Sequence, residues 1–177
     1  PIMAQLTDSQ VIHAMEEADH VLFMVDAQDG ISAADREIAA WLRKKYANKI
    51  DVLINKSDRD DVTLMVAECY QLGLGEAHAI AVINGRGIES FMQSLLSQYS
   101  AVEPLSDDQG RLPIAIVGRP NVGKSTLILQ LLCNLGVKKH KVLYVTGEES
   151  SEQVALRAER MGLDRSACWL YSAVDID

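Results

Sequence analysis

Gly118-Arg119-Pro120-Asn121-Val122-Gly123-Lys124-Ser125 decides how this chain is read. It fills every fixed position of the phosphate-binding pattern G-x-x-x-x-G-K-[ST]. The glycines let backbone N–H groups of Asn121, Val122 and Gly123 converge on an anion, Lys124 brings a point charge to the terminal phosphates, and the Ser125 hydroxyl is a hard ligand for Mg²⁺, with Thr126 directly behind it. Context supports the match. The apolar run at 113–117 predicts a strand leading in, and 125–135 predicts a helix leading out, closed by Gly136. What is unusual is the place, two thirds of the way along a chain of 177 residues.

Upstream of the loop the chain alternates. An amphipathic helix is expected over 8–19 with Asp8 as its cap, then an unbroken apolar strand at 21–25 ending in Asp26. Ser32 caps a helix over 32–46, with acidic residues near its start and Arg43, Lys44 and Lys45 near its end, an order that complements the helix dipole. Strands follow at 50–54 and 79–83, and helices at 62–72 and 88–99, the last with an apolar stripe of Ile88, Phe91, Met92, Leu95 and Leu96. Residues 101–112 read as a linker. Beyond the loop helix come a strand at 142–145, a helix at 151–161 and a strand at 168–173. Strands alternating with helices predict an α/β fold: a parallel sheet of about six strands with helices on both faces, in one P-loop domain over 1–177.

Composition removes several alternatives. A net charge of −8, from 17 basic and 25 acidic residues, gives no footprint for a polyanion, so direct nucleic-acid binding is not expected. No apolar run reaches the length of a membrane span and no leader pattern is present, so the expected compartment is cytoplasmic. Cys69, Cys133 and Cys168 read as reduced core thiols rather than a disulfide or zinc site. His13, His20, His78 and His140 are scattered and read as surface or packing residues, and Trp41 and Trp169 as core or half-buried anchors.

Asn55-Lys56-Ser57-Asp58, directly after a predicted strand, is the pattern through which GTPases read guanine. The Asp58 carboxylate can accept hydrogen bonds from the guanine N1–H and amine, which adenine cannot donate; Asn55 braces the loops and the Lys56 stem lies along the base. Asp26, at the end of its strand, is a candidate second-shell Mg²⁺ ligand or a cap for the following turn.

These residues carry a resemblance to the Der (EngA) bacterial GTPases, which hold two G domains in tandem and assist ribosome assembly. About residues 1–127, with "EEADHVLFMVDAQDGISAADREIA", "NKSD", "YQLGLGEAHAI", "NGRG" and "GRPNVGKST", look like the back half of one G domain, the linker, and the first strand and loop of the next. About residues 124–177, with "LILQLLCNLG", "YVTGEES" and "LYSAVDI", instead resemble RadA/Sms, a RecA-type ATPase of DNA recombination. The chain thus looks like a chimera crossed over at the shared "GKSTL", engineered or recombined.

The resemblance implies a circularly permuted G domain in which 1–100 supply the C-terminal half, 101–112 close the circle, and 113–177 supply the loop strand, its helix and RadA-like strands. The strand at 114–117 is then expected beside 21–25, with 50–54 and 79–83 beyond, and the RadA-like strands on the other edge. It implies GTP or GDP with Mg²⁺ as ligand, ATP as the alternative. Glu148 and Glu149 resemble the carboxylates that activate water in RecA-type ATPases; the alternative is that they simply lead a helix N-terminus, where acidic residues are favourable. The switch I threonine and the Asp-x-x-Gly motif of a G domain are missing from the G-domain-like stretch, so little or no hydrolysis is expected. Ala81-Val82 stand where the guanine loop usually reads Ser-Ala; a backbone N–H is expected to remain there for the guanine oxygen, but the serine is gone and Val82 adds bulk, which counts against guanine affinity. A sheet edge left open offers a route to oligomers.

Overall fold

The computed structural model describes residues 9–58, 62–99, 113–137, 142–146, 149–164, 166 and 168–172. The chain falls into two compact units, one over 1–81 and 85–124 and one over 82–84 and 125–177.

In the first unit, α1 (Ser9–Glu17), β1 (His20–Asp26), α2 (Ala33–Tyr46), β2 (Ile50–Asn55), α3 (Val62–Tyr70), β3 (Ala77–Ala79), α4 (Ile88–Tyr99) and β4 (Ile114–Val117) follow in order. The four strands form one parallel sheet in the order β3-β2-β1-β4. The adjacency of 114–117 to 21–25 predicted from the sequence is therefore present: His20 is in register with Ile114 and Phe23 with Val117. Every residue of β1 and β2 is buried, as their unbroken apolar runs require of strands covered on both faces. Val21, Phe23 and Val25 pack with Val52, Ile54, Ile38, Leu42 and Met15 in the core. Ser32 caps α2 in a capping box: its Oγ accepts from the Asp35 N–H while the Asp35 carboxylate accepts from the Ser32 N–H.

At the amino ends of the strands lies a buried polar chain. The His20 Nε2 stands 3.2 Å from the Asp51 carboxylate, its Nδ1 2.8 Å from the Tyr99 hydroxyl, and that hydroxyl 3.1 Å from the Asp19 carbonyl. Burial works to raise the Asp51 carboxyl, but the His20 ring at 3.2 Å, the His78 ring at 3.8 Å and the hydrogen bond from the Glu76 N–H outweigh it and hold the group below the usual carboxylate range. An unfolded chain therefore takes up the proton first as pH falls, so this stabilisation is complete above about pH 4 and is lost below it. Asp51→Asn is expected to be less stable at neutral pH and to lose less on acidification; urea midpoints from pH 7 to pH 3 measure the difference.

In the second unit, α5 (Lys124–Val137, continuing from the first unit), β5 (Val142–Thr146), α6 (Ser151–Arg160) and β6 (Cys168–Ser172) surround a small core of Leu129, Cys133, Tyr144, Val154 and Ala158. β5 and β6 pair in parallel, Val142 with Cys168 through Thr146 with Ser172. Cys133 and Cys168 meet here; burial and the neighbouring thiol push Cys133 up to about 11, and burial raises Cys168, so both stay protonated thiols.

Four expectations are corrected. The six strands do not make one sheet: among the described residues four form one sheet and two another. The third strand ends at Ala79, because Ala81 bridges to Arg86 and the chain turns through a 3₁₀ segment at Val82–Asn84. Gly136 does not stop the loop helix, which runs on through Val137. Trp169 is no anchor, being 76% exposed. The Asp8 cap, the linker at 101–112 and His140 lie outside the described residues.

Candidate functional site

Asp26, Asn55 and Gly118 stand at or just past the carboxyl ends of β1, β2 and β4, the side on which open parallel sheets bind ligands. The phosphate loop leaves β4 through Gly118 at φ 148, and a Cβ there would collide with the Met24 carbonyl. Gly123, at φ 105, is equally constrained: a Cβ would collide with the Asn55 amide. Between them Asn121 takes the left-handed conformation, φ 64, which asparagine tolerates better than other side chains. The close approach at Gly123 serves a bond, because the Asn55 Nδ2 donates to the Val122 carbonyl at 2.8 Å. That buried contact ties the Asn55–Asp58 loop to the phosphate loop across 67 residues of sequence.

Lys124 folds back over the loop, its Nζ donating to the Gly118 and Arg119 carbonyls at 2.6 and 2.7 Å. An ammonium held on loop carbonyls is placed to exchange them for phosphate oxygens. Among the described residues Lys56, at φ 61, has the other left-handed non-glycine backbone, and its ammonium pairs with the buried Asp26 carboxylate. Asp26 also accepts from the Gln28 N–H at 2.9 Å, so it caps the turn after β1. Ser57 is locked by its Oγ, 2.7 Å from the Ile80 carbonyl, while Asp58 beside it is exposed. The backbone N–H of Ala81 donates to the Arg86 carbonyl, so this amide does not wait for a base oxygen.

Ser125 and Thr126 are half-buried at the start of α5. Glu149 is held by Arg157 in a two-pronged ion pair, with Nη1 2.8 Å from one oxygen, so its carboxylate is engaged. Glu148 lies outside the described residues. Hydroxyl and carboxylate oxygens such as those of Ser125 and Asp26 are the donor chemistry Mg²⁺ prefers, but Asp26 serves a cation only by releasing Lys56.

One pair escaped sequence reading. The Arg119 Nε donates to Asp35 at 2.9 Å, joining a variable position of the phosphate loop to a fully buried carboxylate on α2. Asp35 reads in sequence only as a helix-start acid, and a partner 84 residues away leaves no local signal.

A glycine-bounded phosphate loop between a strand of a parallel sheet and a helix makes this a P-loop domain of the nucleotide-binding type. Comparison with known proteins agrees. The chain is 42% identical over 130 residues to GTPase Der of Coxiella burnetii, covering 73% of this chain and 29% of that protein. It is 44% identical over 126 residues to GTPase Der of Cellvibrio japonicus, covering 70% and 27%. With GTPase Der of Alcanivorax borkumensis it shares 36% over 163 residues, 87% of this chain, a match that runs past residue 127 wherever it begins. The chain spans about three tenths of the length of these relatives. A family model described as AAA domain matches residues 101–175. Among the described residues no helix is long and apolar enough to cross a membrane.

Proposed function

We propose that this chain is a guanine-nucleotide-binding P-loop domain that takes GTP or GDP with Mg²⁺ and hydrolyses GTP slowly or not at all. The observation that carries the reading is the Asn55–Val122 hydrogen bond, because it ties the candidate base reader to the candidate phosphate cradle within one compact unit. Backbone N–H groups over 121–126 and the Lys124 ammonium hold the phosphates, and the exposed Asp58 carboxylate accepts from the guanine edge. Asn55 braces the two loops and the Lys56 stem flanks the base. Ser125 and Asp26 are the residues proposed to hold Mg²⁺, which would neutralise phosphate charge. The name GTPase Der carried by the relatives supports the choice of guanine.

Slow turnover follows from what phosphoryl transfer needs: a positioned water and several charge clamps on the γ-phosphate. Lys124 supplies one clamp, and the carboxylate of Glu149 is engaged by Arg157. The match of 101–175 to an AAA domain favours a second reading, a weak ATPase in which Glu148 is the base. The same match overlaps the Der-like text over 101–127 and carries on to 175, and on that continuation rests a third reading, a chimeric join at Lys124–Leu127 in an engineered or recombined scaffold without a selected activity. Residues 1–177 acting as a single domain belongs to this reading, as does association of copies through an open sheet edge.

Fluorescent GTP and ATP analogues titrated with Mg²⁺ separate these readings. GTP is expected to bind roughly tenfold or more tighter than ATP, with the preference removed in Asp58→Ala, since a lost charge-assisted hydrogen bond is worth about 1.5–3 kcal/mol. Equal binding of both bases that survives Asp58→Ala sinks the guanine assignment and leaves the phosphate loop.

A further inference from the structure

The phosphate loop is anchored from outside itself. Asp35 is wholly buried, and its carboxylate is divided between two tasks: one oxygen accepts from the Arg119 Nε at 2.9 Å, the other from the Ser32 N–H at 2.9 Å and the Ser32 hydroxyl at 2.6 Å. Among the described residues Arg119 is the one cation in ion-pair contact with it. The Arg119 Nη2 is buried without a hydrogen-bond partner, 3.8 Å from the exposed Asp29, so the guanidinium is held chiefly through its Nε. The carbonyl of this same Arg119 accepts from the Lys124 ammonium at 2.7 Å. A continuous path thus runs from the cap of α2 through Asp35 and Arg119 to the lysine of the phosphate loop.

We propose that Asp35 is a positioning residue for phosphate binding, acting through Arg119 to fix the first turn of the loop and the resting place of the Lys124 ammonium. The inference rests on the nucleotide-binding reading. A buried carboxylate cannot be left without its cation at low cost, so the loop is confined to conformations that keep Arg119 on Asp35. Confining a loop before the ligand arrives lowers the ordering cost of binding. Asp35 touches no ligand itself.

The test uses inorganic tripolyphosphate, which has phosphates and no base, with Asp35→Asn, Arg119→Ala, the double variant and Ser32→Ala. Ser32→Ala removes the hydroxyl of the capping box and leaves the Asp35–Arg119 pair in place, so it isolates a purely structural effect. At a temperature where circular dichroism shows all five proteins folded, Asp35→Asn and Arg119→Ala are each expected to weaken tripolyphosphate binding roughly tenfold, the double variant no more than either single one, and Ser32→Ala less than twofold. Losses that add in the double variant, or full affinity in Asp35→Asn, overturn the proposal.

Amide exchange over 119–123 without ligand supplies an independent arm. Exchange faster in Asp35→Asn than in Ser32→Ala upholds the positioning role; equal rates overturn it. Should the unaltered protein fail to bind tripolyphosphate, the nucleotide-binding reading falls, and this arm alone decides whether Asp35 positions the loop.

Discussion

Lys124→Ala is expected to weaken binding of Mg²⁺ and GTP roughly 10- to 150-fold while leaving the fold in place. The estimate comes from the worth of a hydrogen bond to a charged partner, about 1.5–3 kcal/mol. The side chain is also part of the resting loop, where it donates to the Gly118 and Arg119 carbonyls. Those carbonyls belong to half-buried residues that water can reach, so the stability cost stays near about 1–2 kcal/mol. Affinity and stability therefore separate: calorimetric titration reports the first and thermal unfolding the second. A variant that binds as the unaltered chain does would remove Lys124 from the phosphate site. One that no longer folds would make it a structural residue.

The second large effect is on stability. Phe23 lies on β1 between Val52 of β2 and Val117 of β4, fully buried in the main core. Phe23→Ala removes a ring from a site that neighbouring strands cannot close upon, at a cost of about 3–5 kcal/mol, a large part of the roughly 5–15 kcal/mol that holds a domain together. Trp169→Ala, by contrast, alters a side chain 76% exposed and is expected to cost no more than about 0.5 kcal/mol. Trp41, packed against the same core as Phe23, reports the first unit by fluorescence once Trp169 is replaced by phenylalanine. In that background the urea midpoint should fall steeply for Phe23→Ala. A shift as small as that of Trp169→Ala would place Phe23 outside the core.

Most of the first unit was legible because its signals are local. The apolar runs that became β1 and β2 have no polar face, which only a doubly covered strand permits, and the phosphate loop announces itself through residue types that few other structures need. Ser32 was legible as a cap for the same reason, the spacing to Asp35 being a property of one turn.

The failures are of the opposite kind. The apolar run at 79–83 cannot reveal that Ala81 will bridge to Arg86 and turn the chain, since that closure depends on partners and on Gly85 and Gly87 at positive φ. Gly136 resembles a helix stop, yet α5 continues through Val137 with Gly136 buried, so tertiary packing overrides a weak local preference. Whether β5 and β6 join the larger sheet is a matter of long-range pairing, on which an apolar run is silent. The site divides in the same way. Lys124, Asn55 and Asp58 are named by motif, whereas the Arg119–Asp35 and Lys56–Asp26 pairs are products of the folded sheet.

In the proposed function a phosphate cradle and a guanine reader, joined through Asn55 and Val122, form one working site. Calorimetric titration of GTP with Mg²⁺ into the unaltered chain, repeated with Asn55→Ala, tests it most directly. One saturable site per chain is expected, displaced by tripolyphosphate and weakened at least about tenfold in Asn55→Ala, which loses the bond holding the two loops together. Saturable binding that Asn55→Ala leaves untouched, or no binding at all, would contradict it.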